Sequence, residues 1–241
     1  MSIDIHDIMG LRKINAGADS QIGRTRMTVE ITKLEQPIDA MFLIHKALRG
    51  EADRTVEQAR RLEDGCSLQP FKLAFTAWAT AIMYHAEKEV GAEMSRLVDE
   101  SRRTAADDPV EQVKWALLEK EDSEYAKLLE YVQDVMTVLE EDIGTTSVIS
   151  RTKQHLYGQV IALRVAQEDH LETEEAMVIP LLRENLSPRR QLEIVGGLLV
   201  DRDADDPRWV IEWISQDLTP RENDLLLELE SRINQAQPVA P

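Results

Sequence analysis

His85 and Glu89 stand four residues apart, and so do His170 and Glu174. On a helix, positions i and i+4 share a face, so each pair can aim an imidazole and a carboxylate at a common centre. That donor set suits a borderline cation such as iron, manganese or zinc. One His-x-x-x-Glu pair is more often a solvated ion pair. Two pairs on facing helices would make a nitrogen-and-oxygen cage of the kind built in the cores of di-metal helical bundles.

The chain has helices long enough to carry such a cage. A capping residue followed by proline marks a helix's first turn, and this signal recurs at Asp108-Pro109, Ser187-Pro188, Asp206-Pro207 and Thr219-Pro220. Pro37 and Pro70 open two more with weaker caps. Stops fall at Asp64-Gly65, Asp142-Ile143-Gly144 and Asn185. The reading is all-α: long helices over 38–63, 70–102, 109–142 and 147–184, each with apolar residues at three- and four-residue spacing. Leu117, Leu118, Tyr125, Leu128, Leu129, Val132, Met136 and Leu139 form the third helix's stripe. Short connections make an up-down-up-down four-helix bundle. Additional short C-terminal helices follow near 188–200, 207–217 and 220–234. The domain organisation is an irregular leader over 1–36, the bundle over 37–184, a helical extension over 185–235 that packs on the bundle, and a frayed tail over 236–241.

Depth along the bundle agrees with a shared site. Counted from the first turn near residue 66, His45 lies 21 residues before it and His85 lies 19 after it. At a rise of 1.5 Å per residue, both sit about 30 Å from that end. From the third turn near 145, Asp122 and His170 are both roughly 35 Å away. His45, His85, Glu89, Asp122, His170 and Glu174 therefore fall in one slab and are the candidate metal ligands.

With these residues in place the chain resembles the hemerythrin-like, or HHE cation-binding, family. The stretch "HLETEEAMVIPLL" from His170 looks like that family's fourth helix, through His170, Glu174, Glu175 and Pro180. "HAEKEVGAEM" is similar to the second-helix version, through His85 and Glu89, and His45 in "LIHKAL" fits the single first-helix histidine. The resemblance covers roughly 37–184. It implies a non-haem di-iron centre with terminal histidines and two bridging carboxylates, Glu89 and Glu174. The chain departs from the family pattern in the third helix, where "LEKEDSEYAKLL" places Asp122 where a histidine is expected. Asp122 can ligate directly or reach the metal through water, Glu119 can substitute for it, or the site is reduced to one metal or none.

Other residues read more plainly. His155 lies 15 residues before His170, about 22 Å along the axis, and cannot share the site. Tyr84, Tyr125, Met83 and Met177 read as core packing, Glu175 and Glu87 as solvated carboxylates. Cys66 is the single cysteine, so no disulfide within the chain is expected. A net charge of −17 argues against nucleic acid as a partner. The start of the chain does not read as a signal peptide, and no run approaches the roughly 20 apolar residues of a membrane span. A cytoplasmic protein is expected.

Three functions are consistent with this reading. The first is a di-iron protein that binds O2 or NO, or that acts in redox or iron sensing. The second is a redox enzyme turning over peroxide, O2 or NO at the same centre. The third is a metal-free helical interaction module with a degenerate site, in which the Trp209/Trp213 tail supplies a homodimer surface.

Overall fold

The computed structural model describes residues 30–89, 127–128, 130–137 and 150–236. All regular secondary structure among the described residues is helical. A 3-10 turn at Pro37–Asp39 leads into α1 (Ala40–Arg60), and α2 (Gln69–Glu89) follows. A helical segment over 130–137 (α3) lies within the expected third helix. Helix α4 (Ser150–Thr173) runs through a π-turn (Glu174–Val178) into α5 (Ile179–Asn185). The C-terminal part comprises α6 (Pro188–Leu199), α7 (Trp209–Ser215) and α8 (Pro220–Ala236).

Helix α1 packs against α2, α4, α7 and α8. This explains why residues nearly all around it are buried, Ala40, Met41, Leu43, Ile44, Ala47, Leu48 and Ala52 among them. It ends at Arg60 rather than 63. The chain then turns through Leu62, which is buried, and Gly65, whose φ of 86° suits a residue without Cβ.

Helices α2 and α4 each bury one stripe. In α2 it runs Phe71, Phe75, Trp78, Ile82, His85; in α4 it runs Leu156, Val160, Leu163, Gln167, His170 and continues into the π-turn at Glu174. The alternating four- and three-residue steps keep one face toward the neighbouring helices. Polar residues occupy the same slots as apolar ones, and burying them costs free energy unless each finds a partner. Trp78 Nε1 and Gln167 Oε1 meet this condition at 2.7 Å, tying α2 to α4. Leu128, just before α3, and Val132 and Val135 within it are buried, and Met136 packs against the same core; Leu117, Leu118, Tyr125, Leu129 and Leu139 lie outside the described residues.

The fourth long helix differs from the expected unbroken one. Pro180 lacks an N–H, and its ring would clash with the preceding turn of a regular helix. The π-turn lies immediately before it and Pro180 takes the second position of α5. The wider turn absorbs both effects.

The C-terminal helices pack against α1 and α2. Ser187 Oγ accepts from Arg190 N, capping α6. Thr219 and Glu222 form a reciprocal pair at the start of α8, with Glu222 Oε2 accepting from Thr219 N at 2.8 Å and Thr219 Oγ1 accepting from Glu222 N at 3.3 Å. Helix α7 starts two residues later than expected, because Pro207 O accepts from Asp201 N and keeps that stretch in a turn. Trp209 and Trp213 are 4 % and 5 % exposed. Their N–H groups donate to Asp201 and Glu51, so the two indoles serve packing inside the chain and offer no exposed dimer surface. No helix among the described residues is long and apolar enough to cross a membrane.

Candidate metal centre

Three histidines from three helices close on one carboxylate. His45 comes from α1, His85 from α2 and His170 from α4, and Glu174 opens the π-turn. Glu174 Oε2 lies 3.1 Å from His45 Nε2 and 3.7 Å from His85 Nε2. Its other oxygen, Oε1, lies 3.2 Å from His170 Nε2. The rings of His45 and His85 meet edge to face, with centroids 5.3 Å apart. His45, His85 and Glu174 each offer a ligand atom within 4.8 Å of the others. All four side chains are buried, at 0 % for His45, 2 % for Glu174, 5 % for His85 and 7 % for His170.

The local sequence explains the convergence. His85 and His170 sit on the buried stripes of α2 and α4, and His45 lies on the enclosed helix α1. Glu174 follows His170 by one turn, so the two share a face. Buried Ile44, Ile82, Ala86, Leu171 and Val178 occupy neighbouring positions on the same helices.

Electrostatics differ among the imidazoles. Burial pushes His45 toward the neutral form, but hydrogen bonds to Glu174 and Glu175 outweigh it and raise its pKa. Burial dominates at His85 and lowers its pKa; Glu174 opposes this, while His45 and His170 add repulsion. Histidine ligates a metal as the neutral imidazole; the surroundings of His85 favour that form, while the two carboxylates beside His45 favour the charged ring.

The donor set fits a metal. Imidazole nitrogens and a carboxylate with its two oxygens directed to different histidines suit iron, manganese or zinc. Two of the expected ligands remain open. Glu89 is the last residue of α2, and its side chain lies outside the described residues, as do Asp122 and Glu119.

Glu175, expected to be solvated, is not. Its side chain is 25 % exposed and its Oε1 lies 2.9 Å from His45 Nδ1 and 2.6 Å from Arg49 Nη1. Burial raises its pKa, but these two partners outweigh it and hold the carboxyl below its usual range. Arg49 is therefore a site neighbour that sequence reasoning missed. It stands four residues after His45, a spacing that could have signalled it. Tyr84 points elsewhere: its hydroxyl donates to Gly197 O at 3.1 Å and its ring packs on Trp209. Met83 is 48 % exposed rather than a core filler. His155 is exposed, and Glu87 is solvated at 74 %. Compared with family models, curated proteins and solved structures, the chain matches none.

Proposed function

We propose that this chain is a hemerythrin-like, non-haem iron-binding protein whose centre lies inside an up-down-up-down four-helix bundle, with residues 109–142 as the third helix. The observation that carries the reading is the division of Glu174: one oxygen faces His45 and His85, the other faces His170. A carboxylate placed in this way can bridge two cations with histidines as terminal ligands. His45 and His85 would hold one, and His170 the other, completed by the residues expected on the second and third helices, Glu89 and Asp122 or Glu119. Manganese and zinc suit the same donors.

A carboxylate-bridged pair of ferrous ions, when bound, supplies redox equivalents and an open position for O2, NO or peroxide. The chain's own part is to hold the ligands and to exclude water. His45 and Glu174 are almost wholly buried, which keeps bulk water away from their polar atoms. Binding or sensing of O2 or NO is the favoured role, ahead of turnover.

A metal-free polar core is the second reading. It is favoured by His45, whose two ring nitrogens lie within 3.1 Å of Glu174 and 2.9 Å of Glu175, so that protons alone can balance the buried carboxylates.

Metal analysis separates the two. Protein reconstituted with ferrous iron without oxygen should hold about two irons per chain, lost in a His85→Ala/His170→Ala double variant. No metal in the wild type would leave the polar-core reading. About one iron would mean that the third-helix change has removed half of the site.

A further inference from the structure

Glu174 and Glu175 are adjacent, yet they address opposite nitrogens of one imidazole. Glu174 Oε2 lies 3.1 Å from His45 Nε2 and Glu175 Oε1 lies 2.9 Å from His45 Nδ1. Glu175 is itself held. Arg49 Nη1 donates to that same oxygen at 2.6 Å, and Arg49 Nε donates to the two oxygens of Glu168 at 3.1 and 3.2 Å. The chain His45–Glu175–Arg49–Glu168 thus passes back and forth between α1 and the fourth long helix. It starts at a fully buried ring and ends at a side chain 23 % exposed.

A neutral imidazole carries one N–H, and the partner of one nitrogen decides what the other can do. A carboxylate accepts and never donates, so Glu175 holds a proton on Nδ1, and the proton a metal would displace is the one on Nε2, facing Glu174. Without that partner the ring is free to exchange its proton or to rotate. Glu175 is poorly placed to ligate a metal held at Nε2, because it lies on the far side of the ring and its Oε1 already accepts from Arg49.

We propose that Glu175, clamped by Arg49, is the positioning residue for His45: it fixes the proton on Nδ1 and turns Nε2 toward Glu174 as a ready ligand. The inference rests on the reading of His45 as a metal ligand. Partners of this kind set the tautomer and orientation of metal-binding histidines, and their loss typically weakens metal binding by about 10–100-fold.

The test uses full-length Glu175→Gln, which keeps an accepting oxygen, and Glu175→Leu, which removes it; Glu175→Ala replaces the latter where Leu does not fold. In the metal-free proteins, proton–nitrogen correlation spectra of the ring nitrogens should show a slowly exchanging proton on His45 Nδ1 in the wild type and in the Gln variant, whatever Nε2 carries beside Glu174. In the acceptor-free variant that proton should exchange rapidly or leave Nδ1. Competition against a chelator for ferrous iron and for zinc should then show binding weakened about 10–100-fold in the acceptor-free variant, with most of it restored by Gln. Unchanged ring signals in the acceptor-free variant overturn the proposal, and so do affinities within twofold of wild type. An equal loss in both variants with unchanged ring signals makes Glu175 a direct ligand and overturns it too. A wild type that binds neither metal defeats the metal-centre reading, and with it the role proposed for Glu175 there, while the ring spectra still report whether Glu175 holds the proton on Nδ1.

Discussion

His170 Nε2 and Glu174 Oε1 lie 3.2 Å apart, one turn apart on the same helix, and this places His170 on the opposite side of the Glu174 carboxylate from His45 and His85. On the proposed reading the centre would have two halves joined at this carboxylate. Removing a histidine from one half should spare the other. His170→Ala should retain about one metal per chain, bound by the His45 and His85 side. Glu174→Ala should lose both. Metal analysis beside chelator titration checks this; equal loss in the two variants would mean a single shared ion.

Trp78 and Gln167 form the buried link between α2 and α4. Gln167→Leu leaves the indole N–H without its acceptor, which should destabilise the fold by about 1–3 kcal/mol. Pairing it with Trp78→Phe removes the stranded donor. The double variant should then be less destabilised than the sum of the two single changes, because residues in contact couple. Urea unfolding of the four proteins gives the coupling directly, and strict additivity would show that the pair does not stabilise the core.

Glu222 is fully buried, and it accepts from Lys46 Nζ, Ile31 N and Thr219 N. Burial raises its pKa, but Lys46 and the two backbone donors outweigh that and hold the carboxyl below its usual range. A carboxyl whose folded pKa is depressed contributes stability above its unfolded value, and that contribution is lost as pH falls through the folded value. Stability should therefore decline on acidification below about pH 4.5, and a Glu222→Gln variant should show a shallower decline. At neutral pH the variant should be less stable by about 1–3 kcal/mol. Thermal melts across pH 3–7 provide the check: parallel pH curves for the two proteins would remove Glu222 from the account.

Trp213 is 5 % exposed and donates to Glu51, itself 4 % exposed. Truncation to alanine should cost about 3–5 kcal/mol by opening a cavity between α7 and α1 and withdrawing a donor from a buried carboxylate. Leu227, 51 % exposed on α8, is the control, and its truncation should stay within about 0.5 kcal/mol. Comparable losses at both positions, read from denaturant midpoints, would contradict the packing of α7 against α1.

The helical class, most of the helix boundaries that fall among the described residues, and the histidines that meet in the core were legible in the sequence because each has a local cause. Proline after a capping residue opens α6 and α8 where the signal stands, while at Asp206-Pro207 a backbone hydrogen bond delays the start to Trp209. A polar residue in an apolar stripe at three- and four-residue spacing must turn inward, as His85 and His170 do. Helix rise alone set His45 and His85 at equal depth. What no local pattern could supply was the partner of each side chain across helices. Glu175 and Glu87 look alike as carboxylates on helices, yet one is held by His45 and Arg49 while the other is solvated. The difference lies in which surface of α1 faces the π-turn. That turn was itself hidden, because Pro180 signals a break in a helix without saying whether the chain will kink, stop or widen. The tryptophans of α7 follow the same rule: their apolarity was local, but only tertiary packing decided that they cover α1 and α2 within one chain rather than a second copy.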